Sequence, residues 1–335
     1  MSSPQSRGNR HLTVLSVIVP CFNEESVVRE VHRSLLATLE PSPEGFELIY
    51  VDDGSRDGTL KILRELQQAD QRVRVIALSR NFGHQIAVTA GLEHAIGDAV
   101  VVIDADLQDP PNVILEMLDR WRQGVDVAYG VRAERKGETA FKMWTAKAFY
   151  HVINRWSDVA MPLEAGDFRL MDRRVVNALL AMPERDRFIR GMVAWVGFRQ
   201  EAVYYQRAVR FAGETKYPLT KMLRFATDGI FSFSLVPLRL AVYMGLTASG
   251  LALLGIMYAL ALRLFTDVWI TGWTLLFIAV LFLGGVQLLF IGVIGEYLGR
   301  IYGEVKRRPL YLINERLGFA AVDQPARPGR DRAGA

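Results

Sequence analysis

Two stretches of this sequence, residues 240–262 and 268–295, contain no charged side chain. Each exceeds the roughly 20 apolar residues that a helix needs to cross the hydrocarbon core of a bilayer. A helix that is apolar on every face must be buried, either in lipid or in a large protein core, so no other feature restricts the fold as strongly. A two-helix transmembrane hairpin over residues 238–298 is predicted, and a buried hairpin in a water-soluble core is the alternative. The connection between the stretches holds only Arg263 and Asp267, whereas the flanks carry Lys216, Lys221, Arg224 and Arg239 on one side and Arg300, Lys306, Arg307 and Arg308 on the other. By the positive-inside rule both flanks face the cytoplasm, and Trp269 and Trp273 suit the opposite interface. The expected location is the inner (plasma) membrane, multi-pass, with both termini cytoplasmic. Residues 218–237 interleave Lys221, Arg224 and Asp228 with Leu223, Phe225, Ile230, Phe231 and Phe233, the pattern of an interfacial helix. Gly245, Gly250, Gly255, Gly284, Gly285, Gly292 and Gly295 let helices approach closely within or between subunits, so a homo-oligomer, dimer or tetramer, is an expectation.

The rest of the 335 residues is long enough for one large α/β domain, assigned to residues 12–217. Forty Lys and Arg stand against 36 Asp and Glu, a surplus of +4 that is too small to argue for a nucleic-acid partner. Cys21 is the one cysteine, which excludes an intrachain disulfide. Residues 1–11 are polar and basic, read as a disordered terminus without the apolar core of a signal peptide. Residues 299–335 are read as a cytoplasmic tail, unstructured from 323 onward.

Within the large domain, residues 12–19 form an apolar run closed by Pro20-Cys-Phe-Asn-Glu24, and a helical pattern with Val27, Val28, Val31, Leu35 and Leu36 on one face follows. Residues 46–51 repeat the unit, ending in Asp52-Asp53-Gly54-Ser55 before a helix over 59–70. Gly54 supplies a positive φ for that turn and Ser55 or Asp57 a cap, while Asp52 and Asp53 are either helix caps or site residues. Residues 73–78 lead through Ser79-Arg-Asn-Phe-Gly83 to an amphipathic helix over 84–96. A fourth strand, 99–103, runs into Asp104-Ala-Asp-Leu-Gln-Asp109 and is stopped by Pro110-Pro111. Four βα units in a row imply a mostly parallel sheet with its polar residues at one edge, the edge where ligands bind in open α/β sheets. Asp104 and Asp106, two apart on extended chain, point to one side and suit a hard divalent cation; a polar turn is the bland alternative. Residues 20–25 contain no glycine and the chain has no G-x-x-x-x-G-K-[ST], so neither a dinucleotide fingerprint nor a P-loop cradles a diphosphate, and a metal must neutralise it. His84 and His94 lack a zinc ligand set and read as helix-surface or packing residues.

Val17-Ile-Val-Pro-Cys-Phe-Asn-Glu24, Val51-Asp-Asp-Gly-Ser55, Ser79-Arg-Asn-Phe-Gly83 and Asp104-Ala-Asp-Leu-Gln-Asp109, in this order, resemble the successive motifs of inverting family-2 glycosyltransferases with the GT-A fold. Within that family the likeness is to polyprenyl-phosphate glycosyltransferases, the group of dolichyl-phosphate mannose synthase and bacterial bactoprenyl glucosyltransferases, and it extends over residues 14–318. The resemblance implies a nucleotide-sugar donor held by Pro20, Phe22, Asn23, Glu24, Val51, Asp53, Asp104 and Ala105. It implies Mg²⁺ or Mn²⁺ at Asp104, Asp106 and Gln108, and a polyprenyl phosphate, undecaprenyl phosphate in bacteria, as lipid acceptor. Asn81-Phe-Gly-His-Gln85 and Asp104 to Pro111 look closer to the bactoprenyl enzymes than to the mannose synthases, which implies UDP-glucose, with GDP-mannose, UDP-N-acetylglucosamine or a modified arabinose donor as alternatives. A processive polysaccharide synthase shares the early motifs, but a Q-x-x-R-W segment is missing and two spans are too few for a channel.

Residues 127–131 read as a further strand, followed by Arg132-Ala-Glu-Arg-Lys136, where Arg132 and Arg135 either bind phosphate oxygens or form a solvated charge run. Residues 141–156 mix aromatics with lysines, as an interfacial or a core helix. Asp167, in Glu164-Ala-Gly-Asp-Phe-Arg169, is implied by the resemblance to be catalytic, usually as the base. A phosphate acceptor has its second pKa near ~6 and is already an anion at neutral pH, so a base has no proton to remove from it. Asp167 is therefore expected to position sugar hydroxyls or a neighbouring arginine such as Arg169. The segment 207–217 resembles the family's closing loop, which makes Arg210 and Lys216 phosphate ligands; a basic loop without a chemical role is the alternative.

Overall fold

The computed structural model describes residues 14–132, 165–206, 236–265 and 272–319. The chain forms two compact units, the second inserted into the first and including residues 217–308.

In the first unit, β1 (Val14–Cys21), β2 (Gly45–Asp52), β3 (Val73–Leu78) and β4 (Ala99–Val102) alternate with α1 (Val28–Leu39), α2 (Thr59–Ala69), α3 (His84–His94) and α4 (Val113–Arg122). Then follow β5 (Val127–Arg132), β6 (Ala165–Asp172), α5 (Arg173–Ala181), α6 (Ile189–Trp195), β7 (Gln200–Tyr205) and, after the inserted unit, β8 (Ile313–Leu317). They make one eight-stranded sheet in the order β7-β5-β6-β4-β1-β2-β3-β8. β1 to β5 and β7 run in one direction, and β6 and β8 run against them. The mostly parallel sheet expected from the βα alternation is present.

Central strands of a parallel sheet are covered on both faces, which is why β1 is apolar but for Ser16 and is buried from Leu15 to Cys21. α1 lays Val28, Val31, Leu35 and Leu39 on the sheet at helical spacing. α3 departs from the amphipathic pattern: every residue from Ala87 to Leu92 is buried. Gly91 explains how it fits, since a Cβ there would lie 2.3 Å from Cγ2 and 3.3 Å from Cβ of Ile18 on β1. The helix axis sits closer to the sheet than any side chain would allow.

The segment after residue 299 is more than a tail. Ile313–Leu317 pairs antiparallel with β3, and Arg64 on α2 forms an ion pair with Glu315. Five residues without strong alternation give little strand signal by themselves; the open edge of β3 supplies the hydrogen bonds.

β5 ends at Arg132 opposite Tyr205, the last residue of β7; β6 begins at Ala165 opposite Val131; β8 begins at Ile313 opposite Leu78, the last residue of β3. The chain thus leaves this sheet for residues 133–164 and 206–312, and returns from both, at one edge. That is the carboxyl edge of β1 to β4.

In the second unit, α7 (Val236–Phe265) and α8 (Trp273–Val305) are long helices with apolar residues exposed along their length, among them Leu251, Leu254, Leu288, Ile291 and Leu298. Among the described residues one stretch, Phe282–Val305, is long and apolar enough to cross a membrane, and a shorter apolar stretch, Ala241–Gly255, lies in α7.

Candidate active site

The loops that follow β1, β2, β3 and β4 converge at the carboxyl edge, and their own side chains hold them together. Asp53 directly follows β2 and is almost fully buried; its Oδ1 accepts from Phe82 N–H at 2.7 Å and its Oδ2 from Gly83 N–H at 2.9 Å. The β3–α3 loop is pinned to β2 in this way. Burial, countered by these two bonds and by the charges of His84 and Arg80, raises the Asp53 pKa above the usual aspartate range. Gly54 follows at φ 68°, and a Cβ there would meet the Arg80 carbonyl carbon at 2.4 Å, so the turn admits only glycine. Asp52 accepts from Ser55 N–H at 3.3 Å, and Asp57 accepts from Thr59 N–H at 3.0 Å in the first turn of α2. Asp57, one residue before the Gly58 N-cap, meets the first N–H of α2, and Asp52 and Asp53 serve loops.

Asn23, at φ 57°, receives Arg56 N–H on its Oδ1 at 2.9 Å and gives its own N–H to Ser55 Oγ at 3.0 Å. Glu24 N–H reaches Thr59 Oγ1 at 2.8 Å. Of the other expected donor residues, Pro20, Val51 and Ala105 are buried and Phe22 is exposed.

After β4, Leu107 takes a left-handed φ of 56°, uncommon for a bulky residue, and Gln108 N–H bonds Asp106 Oδ1 at 3.0 Å. The turn ties Gln108 to Asp106, and Asp106 is near enough to Asp104 for its charge to act on it. Gln108 is buried with its side-chain oxygen unpartnered, and the buried Asp109 accepts from the Tyr205 hydroxyl. Asp104 keeps 37% of its side-chain surface but sits in a crowded concave edge. That burial, opposed by His84 and reinforced by Asp167, Asp109 and Asp106, pushes its pKa up to about 6. Among the described residues no group of three or more His, Cys, Asp or Glu side chains is gathered to hold a metal unaided.

Asp167, near the start of β6, is the most tightly held acid. Arg190 from α6 donates Nε to Oδ1 at 2.7 Å and Nη2 to Oδ2 at 3.0 Å, Gln85 donates Nε2 to Oδ2 at 3.4 Å, and His84 Nε2 lies 3.3 Å from Oδ2. Burial alone would raise the Asp167 pKa; His84 and Arg190 outweigh it and hold the carboxyl well below the usual range. His84 also stands 3.7 Å from Asp104 Oδ1, bridging the two acids. Its burial lowers the imidazole pKa, but the bond to Asp167 and the charges of Asp104 and Asp167 carry it up to about 9.

Two readings from sequence are corrected here. His84 is part of the acidic site rather than a mere helix-surface or packing residue, because Gly83, at φ 103°, turns the chain so that α3 begins at the site. His94 does pack, with Nδ1 2.8 Å from the Ala90 carbonyl and its ring edge-on to Phe319. The arginine that Asp167 holds is Arg190, not Arg169: Arg169 is buried and donates to the Gly166 carbonyl at 2.7 Å. Burial, opposed by Asp167 and aided by Arg190, lowers the Arg169 pKa to about 10. Arg190 gave no sequence signal, and Gln85 stood out only as the last residue of the Asn81-Phe-Gly-His-Gln85 run.

Of the phosphate-binding candidates, Arg132 lies in β5 at the carboxyl edge. Arg135, Arg210 and Lys216 fall outside the described residues, as do the predicted helix over 141–156 and residues 218–235 of the one over 218–237, whose last two residues open α7.

A strand-end acidic turn, a pinned loop wall beside it and a mostly parallel sheet carrying both define a GT-A glycosyltransferase. The family model for glycosyl transferase family 2 matches residues 16–180. A Bacillus subtilis relative, the uncharacterized glycosyltransferase YkcC, is 51% identical over 93% of this chain and 96% of its own. The SfII prophage-derived bactoprenol glucosyl transferase of Shigella flexneri is 40% identical over 90% of this chain and 97% of its own. The chain belongs to glycosyl transferase family 2.

Proposed function

We propose that this enzyme moves a hexose, glucose in the first instance, from a UDP-sugar to undecaprenyl phosphate at the cytoplasmic face of the plasma membrane. The observation that carries the reading is the common edge: Asp104, Asp106 and Asp167 stand where the chain leaves for, and returns from, the apolar helices. A lipid acceptor is further supported by the relatives named bactoprenol glucosyl transferases.

The same connectivity supports two crossings rather than one. A sheet cannot straddle a bilayer, and β8 belongs to the sheet that β7 left, so a chain that crosses must cross an even number of times. With Phe282–Val305 as one span, α7 is taken as the other.

In the reaction, an acceptor phosphate oxygen forms a bond to the anomeric carbon from the face opposite the nucleotide. The bond from that carbon to the β-phosphate oxygen breaks, its electron pair leaves with UDP, and the configuration inverts. Asp53 and the loops it pins shape the donor wall. Asp167, kept anionic by Arg190, is too weak a base to take a proton near neutral pH, and the acceptor phosphate has none to surrender. Its part is to orient the sugar, with positioning supplying much of the rate.

Asp104, Asp106 and Gln108 fit a hard cation, Mg²⁺ or Mn²⁺: all offer oxygen, the Gln108 oxygen lacks a partner, and mutual repulsion at Asp104 is what a cation relieves. A bound cation would supply charge stabilisation to the departing diphosphate.

The test is incubation of membranes holding the full chain with radiolabelled UDP-glucose, UDP-N-acetylglucosamine or GDP-mannose and undecaprenyl phosphate. Label from UDP-glucose in an organic-extractable, mild-acid-labile product is expected. Label in polymer, or none in lipid with any donor, would overturn the reading.

A further inference from the structure

α6 begins without a side-chain cap of its own: the preceding residue, Phe188, supplies none. The first N–H of the helix, from Ile189, is instead met by Gln85 Oε1 at 3.0 Å, from a residue 104 positions earlier. The other end of the same amide, Nε2, reaches Asp167 Oδ2 at 3.4 Å. Arg190, the next residue on α6, donates two bonds to Asp167. One side chain therefore touches the strand that carries the carboxylate and the helix that carries its guanidinium.

Gln85 is itself firmly seated. It lies in the first turn of α3, directly after the Phe82 and Gly83 amides that Asp53 holds, and ahead of the buried stretch Ala87–Leu92. We infer that Gln85 is a positioning residue for glycosyl transfer: it sets the geometry of Asp167 against Arg190 and ties that pair to the donor wall through the 82–85 turn. The inference rests on Asp167 belonging to the site. It adds a residue that touches no reacting atom and acts through Asp167.

Two variants of the full chain separate positioning from helix capping. Gln85→Met loses both contacts. Gln85→Glu keeps an acceptor for Ile189 N–H but gives Asp167 no donor and places a like charge beside it. Each is compared with Asp167→Asn in detergent, by thermal unfolding and by kinetics with undecaprenyl phosphate and whichever of UDP-glucose, UDP-N-acetylglucosamine and GDP-mannose the wild-type chain turns over fastest. Gln85→Glu is expected to unfold near the wild-type temperature while kcat falls on the order of 10-fold to 100-fold, with the donor KM within about two-fold. Gln85→Met is expected to lose kcat similarly and to unfold earlier. A Gln85→Glu enzyme with wild-type kcat, or a loss confined to KM, overturns the inference while leaving the site reading intact. Full activity in Asp167→Asn overturns both.

Discussion

Replacing Arg190 with methionine removes two charge-assisted hydrogen bonds, 2.7 and 3.0 Å long, from a carboxylate whose side chain is 12% exposed. Breaking a fully buried ion pair costs about 3–5 kcal/mol and an exposed one about 0–1. Arg190 keeps 31% of its side-chain surface and Asp167 retains Gln85 and His84, which places the loss between these limits, at about 2 kcal/mol. For a domain of this size each kcal/mol lowers Tm by about 2–4 °C, so Arg190→Met should unfold about 4–8 °C below wild type. Asp167, released on one side, would swing by roughly an ångström, which costs transfer on the order of 100-fold in kcat. Arg190→Lys keeps the charge without the planar fork and should lie between. The sign with pH also follows. Asp167's folded pKa is depressed, so its stabilisation is present above the unfolded value and is lost as pH falls through the folded one. Without Arg190 the depression shrinks, so less stability is lost on acidification, and the Tm gap between Arg190→Met and wild type should narrow as pH falls below the unfolded aspartate value. Scanning fluorimetry of the full chain in detergent, run across pH beside the radiolabel transfer assay, measures all three quantities. An Arg190→Met protein within about 1 °C and two-fold of wild type would refute the reasoning.

Asp106→Ala should abolish transfer with the protein still folded in membranes, and chelator-washed wild-type membranes should lose activity that Mg²⁺ or Mn²⁺ restores; undiminished activity after chelation would sink the cation site. Gly54→Ala meets the Arg80 backbone at 2.4 Å in a left-handed conformation, so a loss of about 1–3 kcal/mol and a raised donor KM are expected, read by Tm and kinetics. Tyr205→Phe strips a donor from the buried Asp109 and should cost about 1–3 kcal/mol, seen as a lower Tm. Reporters fused before residue 1 and after residue 335 should both register as cytoplasmic; a periplasmic signal from only one of them would contradict an even number of crossings.

Much of this protein was written locally in the chain. Apolar runs closed by Pro20, Gly54 and Pro110 announced β1, β2 and β4 and the edge where their acids lie, because burial on both faces and turn chemistry each act over a few residues. Two charge-free stretches announced α7 and α8 for the same reason: lipid or core tolerates no charge, and the sequence records that directly. The tertiary structure alone decided which groups meet. Gln85, Asp167 and Arg190 come together across separations of 82, 23 and 104 positions at Gln85–Asp167, Asp167–Arg190 and Gln85–Ile189, and nothing periodic marks such pairs. β8 shows the same limit, since its residues become a strand only where β3 leaves an unpaired edge. A hydrogen bond between distant elements depends on register and helix placement, which are set by packing the whole domain, and a single chain read in order carries no term for that.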